Sequence, residues 1–135
     1  MVLATLGVVI LTGATFALEA VTVTPVYETS ETASGKPITL PHNNVRVIVS
    51  TFDIAPGATL PVHKHPFARY ASVQAGTLKV INVETNEAKV YKTGDFIVEM
   101  IDQWHRAENV GDDAVKLLVI DQVEGTAANT VLKDK

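Results

Sequence analysis

The hydrophobic pattern of this chain changes at residue 20, and the part that follows predicts β-strands. Beyond that point apolar and polar residues alternate in short runs rich in Val, Ile and Thr, and no run keeps a helical period. Turn-forming residues separate the runs. We predict about nine short strands, over residues 21–27, 45–54, 60–65, 70–74, 77–83, 88–91, 96–101, from about 105, and 114–123. Such a series is typical of an all-β fold, and we expect a small antiparallel jelly-roll β-barrel.

Two segments at the ends of this region have weaker patterns. Residues 21–27 alternate and are predicted as an edge strand, where Pro25 is tolerated although it has no N–H to donate. Residues 28–41 are polar and predict a loop. The tail from Glu124 onward is also polar, and we expect it to be loosely held.

The first 20 residues differ from the rest because no charge occurs before Glu19. The segment resembles the apolar region of a secretory signal peptide, although no Lys or Arg precedes it. The alternative is a buried N-terminal element. A membrane anchor needs ~20 apolar residues, so we expect no membrane span in the mature chain. We therefore expect a signal-like segment (residues 1–20), one barrel domain (residues 21–135), and a periplasmic or secreted protein, or a cytoplasmic one if the segment is not a signal.

Composition narrows the range of functions. A length of 135 residues fits one domain, and the absence of cysteine excludes a thiol nucleophile, a thiolate zinc site and an iron–sulfur cluster. The formal net charge is -4, and the Lys and Arg residues are scattered. This distribution argues against nucleic acid as a partner.

Three histidines have a spacing that suits one metal ion. Successive side chains of a strand point to opposite faces, so His63 and His65 point the same way. His105 must come from a separate strand. Neutral imidazoles that converge on one point are good ligands for a divalent transition metal, and burying them together is unfavourable unless something satisfies their nitrogens. The sequence therefore predicts a metal site.

The segments around these histidines resemble the two signature motifs of the cupin superfamily. The first motif places a glycine, a His-x-His pair, a glutamate and a second glycine in order, and the second motif places a glycine, a Pro-x-Gly turn, a histidine and an asparagine. The matching residues are Gly57, His63, His65 and Gly76 for the first motif and Gly94, His105 and Asn109 for the second. The resemblance covers residues 45–122. It implies a jelly-roll barrel, and the layout is similar to small single-domain bacterial cupins of undefined activity.

The sequence departs from the motifs at three positions. Met100 and Asp102 replace the proline and glycine of the second motif. Arg69 stands where the first motif has its glutamate, and a guanidinium cannot ligate a metal. The resemblance therefore implies a shell of three histidines, similar to that of some cupin dioxygenases that use ferrous iron. We expect one divalent transition metal (Fe, Mn, Ni, Cu or Zn).

Four further residues are candidates for substrate binding or catalysis. Arg69 either points into the barrel and pairs with an anion at the metal, or turns to solvent after Pro66, which we favour. Tyr70 either offers a hydroxyl near the metal or fills the barrel wall, and Trp104 either lines the pocket or belongs to the core. Glu99 is a candidate fourth ligand, a hydrogen-bond partner of a liganding histidine, or a general base; strand alternation favours a solvent-facing side chain instead.

We expect a metal-dependent enzyme acting on a small, possibly anionic organic molecule, most simply an oxygenase, because three histidines leave coordination positions open. The alternative is a non-catalytic module that binds or senses a metal or small ligand. The clustering of the histidines argues against a third alternative, a metal-free sugar isomerase or epimerase. Barrels of this type commonly pair through edge strands, so we expect a homodimer. His42 has no ligand spacing and is predicted to be exposed.

Overall fold

The computed structural model describes residues 20–134, and the regular structure in that range consists of nine strands. Three short strands, at residues 63–64, 96–98 and 131–132, lie among longer ones. The strands are β1 (Val45–Ile54), β2 (His63–Lys64), β3 (Arg69–Ala75), β4 (Thr77–Asn82), β5 (Ala88–Lys92), β6 (Phe96–Val98), β7 (His105–Asn109), β8 (Val115–Glu124) and β9 (Val131–Leu132).

The strands form two antiparallel sheets that enclose one hydrophobic core. The four-stranded sheet has the order β1-β8-β3-β6, and the five-stranded sheet has the order β5-β4-β7-β2-β9. Strands that are distant in sequence are thus neighbours, as β1 and β8 are over ten residue pairs, Val45↔Glu124 to Ile54↔Val115. The predicted all-β jelly roll is confirmed.

Alternating apolar side chains build the interior. In β8 every second residue is buried, from Val115 to Val123, and β3 and β4 bury Val73 and Leu78 against it. Each such side chain contributes about 1.5–3 kcal/mol when removed from water. The core supports the sheet face that carries the histidines.

The predicted strand over residues 21–27 is wrong. This segment is irregular and exposed, with Val21, Val23 and Val26 at least 75% accessible. β-branched residues favour extended backbone, but a strand forms only where a partner supplies hydrogen bonds. Tyr27 contacts the barrel, with its ring centroid 6.1 Å from that of Phe96.

Two predicted strands are shorter than expected. The histidine strand shrinks from residues 60–65 to β2 alone, and the strand over 96–101 ends at Val98. Pro61 and Pro66 flank β2, and a proline has no N–H for a ladder. In the second segment Ile101 forms an isolated bridge with His65 instead of extending β6, and Asp102 then adopts a left-handed backbone conformation (φ 53°).

The C-terminal tail is not loosely held. Val131 and Leu132 form β9 and pair with β2. Asn129 is buried, and its side chain reproduces backbone pairing, accepting from Phe67 N at 2.8 Å and donating to Phe67 O at 3.2 Å. The polar composition of the tail predicted a loosely held segment. The side-chain amide of Asn129 instead fixes the tail, because it satisfies buried backbone groups.

The signal-like segment lies outside the described residues except for Ala20, so export and the domain boundary at residue 21 stay predictions. No helix long and apolar enough to cross a bilayer occurs between residues 20 and 134.

Gly76 should be the least replaceable of the motif glycines. Its φ is +85°, and an added Cβ would lie 2.9 Å from Ala114 O and from Val115 Cα. We expect Gly76→Ala to lower the free energy of unfolding by about 2 kcal/mol or more, measured by urea denaturation.

The matched control is Gly57→Ala. Gly57 also has a positive φ (+72°), but no atom lies within 4 Å of the added Cβ. Its cost should be limited to roughly 1 kcal/mol of backbone strain. Equal losses in the two variants would contradict the steric explanation.

Candidate metal centre

Sheet pairing brings the three histidines together. His63 of β2 lies directly opposite His105 of β7 in the antiparallel register. His65 follows His63 by two residues, so its side chain is on the same face. All three side chains are buried, and one nitrogen from each lies within 4.8 Å of the others. Ligands at ~2.1 Å from one ion stand up to ~4.2 Å apart, so small ring rotations suffice for a common ion.

Backbone carbonyls fix the orientation of each ring. The Nδ1 atoms of His63, His65 and His105 lie 2.7, 2.6 and 2.9 Å from the carbonyl oxygens of Pro61, Asn129 and Gln103. Since a carbonyl oxygen only accepts, each Nδ1 must carry the hydrogen. In the neutral ring Nε2 then holds a lone pair directed into the cluster. Within the described residues, His105 Nε2 is buried without a hydrogen-bond partner.

Glu99 completes the cluster, and the solvent-facing interpretation is wrong. It follows β6, and its side chain is only 13% exposed. Its Oε2 lies 3.2 Å from His105 Nε2 and 3.4 Å from His65 Nε2. Glu99 lies two residues after the buried Ile97, and its N–H continues the β3–β6 pairing to Arg69 O, so its side chain is on the inward face.

Arg69 points into the barrel, so the solvent-facing interpretation is wrong here too. Its Nε and Nη2 donate to Asp121 Oδ1 and Oδ2 at 2.7 and 3.0 Å, and Nη2 also donates to Thr130 Oγ1 at 3.2 Å. Nη1 lies 3.5 Å from His65 Nε2. The strand is interrupted after Lys64, but β3 begins at Arg69 and pairs it with the inward-facing Asp121 of β8, which fixes its side chain inside the barrel.

Asp121 was missed by the sequence analysis, although a signal was present. It shares the inward parity of Val119 and Val123 on β8 and is only 5% exposed. A charged residue at an apolar position of an alternating strand indicates a buried partner. That partner, Arg69, lies directly across the β3–β8 pairing.

The structure does not bring Tyr70 or Trp104 into the cluster. Tyr70 faces the other side of β3, where its hydroxyl donates to Gln122 at 3.2 Å and its ring stacks on Phe96. Trp104 is half-buried, and the ammonium group of Lys64 lies 5.1 Å from its ring centroid. Both rings pack outside the face that carries the imidazoles. His42 is exposed as predicted.

Burial and the Glu99 carboxylate act in opposite directions on the pKa values. Burial lowers the pKa of His63 to about 4, outweighing its hydrogen bond to Pro61. Burial also disfavours charged His105, but the Glu99 carboxylate raises the pKa of His105 above its usual value. Burial opposes ionisation of Glu99, yet the imidazoles of His105 and His65 hold its pKa well below the usual range.

Two cavities lie in this part of the barrel, and only the smaller one is lined by residues of the cluster. An enclosed one of about 20 Å³ is lined by apolar core residues together with His63, Arg69, Glu99 and His105. It holds little more than one water molecule. An open cavity of about 450 Å³ lies between β4, β5 and the loop around Ser34, and Val80 lines both cavities.

The donor set fits a divalent transition metal. Three buried imidazoles present lone pairs to one another and to a carboxylate, and none of these atoms carries a hydrogen when the rings are neutral. Such an arrangement of acceptors is unfavourable without a cation at its centre. A buried group of three histidines that can bind a metal is therefore present.

Comparisons with known proteins agree with this architecture. The sequence profile of the Cupin domain family matches residues 50–121. The polyketide cyclase RemF of Streptomyces resistomycificus superposes with a TM-score of 0.56 at 17% identity, over 67% of this chain and 63% of the cyclase. Oxalate decarboxylase of Bacillus subtilis, studied for its Mn(II) centres, superposes with a TM-score of 0.51 at 22% identity, over 67% of this chain and 24% of that chain.

An uncharacterised Klebsiella pneumoniae protein with a double-stranded β-helix domain covers more of this chain. It superposes with a TM-score of 0.52 at 22% identity, over 84% of this chain and 97% of its own. This chain spans less than two thirds of the cyclase and about a quarter of the decarboxylase. At these identities the likeness shows the fold alone. No curated protein matches the sequence.

Burial and the Glu99 carboxylate have opposing effects on the pKa of His105, and titration of the metal-free protein can separate them. Glu99→Gln removes the carboxylate that raises the His105 pKa and leaves the burial that lowers it. We therefore expect the His105 pKa to lie above 6.5 in the wild type and to fall in the variant, measured by NMR. Glu108→Gln, on the outward face of β7, should leave it unchanged. A His105 pKa that is the same in all three proteins would contradict the assigned cause.

Proposed function

Because the chain belongs to the cupin family, we propose that it binds one divalent transition metal through His63, His65 and His105. One observation carries the proposal: each Nδ1 donates to a backbone carbonyl, which leaves each Nε2 lone pair directed at the same point. Hydrogen bonds of this kind are what orient imidazole ligands in metal sites.

We propose that the protein is a metal-dependent oxygenase acting on a small anionic organic molecule. When bound, a divalent metal held by neutral imidazoles supplies Lewis acidity and open coordination positions for oxygen donors. The protein itself makes two contributions to such a site. The apolar residues around the enclosed cavity exclude water, and the buried histidines stay unprotonated ligands where their pKa is low, as for His63.

Arg69 supports an anionic substrate. Asp121 and Thr130 occupy Nε and Nη2, so Nη1 keeps hydrogens that point toward the cluster near His65. The ion pair with Asp121 holds the guanidinium in one orientation, and a fixed guanidinium suits a carboxylate or enolate oxygen. The open cavity of about 450 Å³ has the size of a small-ligand pocket and would hold the organic part of the molecule.

A non-catalytic binding or sensing module is the second candidate. The enclosed cavity of about 20 Å³ favours it, because an organic substrate could reach the cluster only if the wall at Val80 moves. In this role the same three histidines would hold a metal that catalyses no reaction.

We also propose a homodimer that pairs through β1. This strand is at the edge of the four-stranded sheet and exposes Val45, Val47 and Val49. An unpaired apolar edge favours association with a second strand.

Metal binding should depend on the clustered histidines and not on the exposed one. The purified protein is expected to bind about one metal ion per chain, and His63→Ala should weaken Zn²⁺ or Mn²⁺ binding by more than about 100-fold, because it removes a ligand. Isothermal titration with elemental analysis measures both quantities. The control is His42→Ala, which changes an exposed histidine outside the cluster. Equal metal content in the two variants would refute the metal site.

Oxygen consumption separates the two candidate functions. Protein loaded with Fe²⁺, Mn²⁺, Ni²⁺ or Cu²⁺ is expected to consume dioxygen with an enolisable keto acid or a catechol, and His63→Ala should abolish the reaction. An oxygen electrode measures the rate. If no pairing of metal and substrate gives uptake while one metal ion binds tightly, the binding module is the correct function.

A further inference from the structure

The first motif lacks its glutamate, but the carboxylate of Glu99, directly after β6, lies beside the imidazoles. We propose that Glu99 is the fourth protein ligand of the metal, in the place that the motif glutamate occupies in the family pattern. This inference rests on the proposed three-histidine centre and adds one negatively charged oxygen donor to it.

The backbone explains how residue 99 reaches this place. Tyr70 pairs with Val98 in the antiparallel β3–β6 ladder, so Glu99 is the next residue across from Arg69. The N–H of Glu99 donates to Arg69 O at 2.9 Å, which continues the ladder beyond β6. Side chains of facing residues on one sheet face start about 5 Å apart. A carboxylate at position 99 therefore enters the same space as one at position 69.

The charges of the neighbouring residues are consistent with a metal-binding carboxylate at position 99 instead of position 69. Arg69 is paired with Asp121 through two hydrogen bonds of 2.7 and 3.0 Å, so its counter-ion is Asp121 and not Glu99. Among the described residues, Glu99 has ion-pair contacts only with His65 and His105. A nearly buried carboxylate whose only partners are imidazoles lacks a permanent cation. A divalent ion at the centre supplies one.

The orientation of the imidazoles decides between the roles open to Glu99. A carboxylate that merely orients a liganding histidine bonds to the nitrogen that does not face the metal. Here that nitrogen, Nδ1, already donates to a carbonyl in all three rings. Glu99 Oε2 instead lies 3.2 Å from Nε2 of His105 and 3.4 Å from Nε2 of His65, the nitrogens left for a metal. The carboxylate oxygen thus lies near the same point as the nitrogens that would bind the metal.

The test is the isosteric variant Glu99→Gln, with Glu108→Gln as its matched control. Glu108 is on the outward face of β7, three residues after His105. Affinity for Mn²⁺ and Zn²⁺ is measured by titration, and the coordination by the visible spectrum of the Co²⁺-loaded protein. Circular dichroism and thermal unfolding establish that each variant is folded.

If Glu99 is a ligand, Glu99→Gln keeps a 1:1 stoichiometry but loses at least about tenfold in Mn²⁺ affinity. Zn²⁺ affinity should fall less, because Mn²⁺ prefers carboxylate oxygen ligands whereas Zn²⁺ is bound well by imidazole. The Co²⁺ spectrum should change, and Glu108→Gln should match the wild type in every measurement. Unchanged affinity together with an unchanged Co²⁺ spectrum in Glu99→Gln would overturn the fourth ligand while leaving the three-histidine centre intact.

Two further outcomes are decisive. If the wild type binds no metal, the three-histidine centre and the fourth ligand both fail. If Glu99→Gln does not fold, Glu99→Asp takes its place, because it keeps the charge but withdraws the oxygens by one methylene. A ligand role then requires a changed Co²⁺ spectrum, and a wild-type spectrum would overturn it.

Discussion

Three hydrogen bonds from imidazole N–H groups to backbone carbonyls determine what the centre of this barrel can do. The carbonyls of Pro61, Asn129 and Gln103 take the Nδ1 hydrogens, so the Nε2 lone pairs of the rings face one another. Lone pairs that converge in a buried space are unfavourable alone and favourable around a cation. The backbone segments that carry these three carbonyls therefore hold the rings in this arrangement.

The C-terminal tail contributes to the site as much as the strands do. The Asn129 carbonyl orients His65, while the Asn129 side chain is bonded to the backbone of Phe67 and to Asp121. Asp121 in turn holds Arg69. A chain of satisfied buried polar groups thus links the tail, β8 and β3 to one imidazole. Removing one member would leave a charge or amide buried without a partner, which costs more than the lost contact itself.

The facing positions 69 and 99 let this barrel place a carboxylate beside the imidazoles although Arg69 stands at the position of the motif glutamate. Two facing positions on adjacent strands open into the same space. A guanidinium at one position and a carboxylate at the other place both charges beside the imidazoles. The guanidinium needs its own counter-ion in such a setting, and Asp121 provides it.

The amino-acid sequence by itself determined the all-β class, the jelly roll and the face shared by His63 and His65, because the two-residue period of a strand is a local property. It also identified His105 through the second motif. It did not determine the side chains that depend on pairing. The sequence favoured solvent-facing side chains for Arg69 and Glu99 and did not identify Asp121. It also predicted a strand over residues 21–27, which are irregular, and a loosely held tail, which pairs with β2. Tertiary structure decided these points, because a strand needs a partner to supply hydrogen bonds and a buried charge needs a counter-ion from a distant segment.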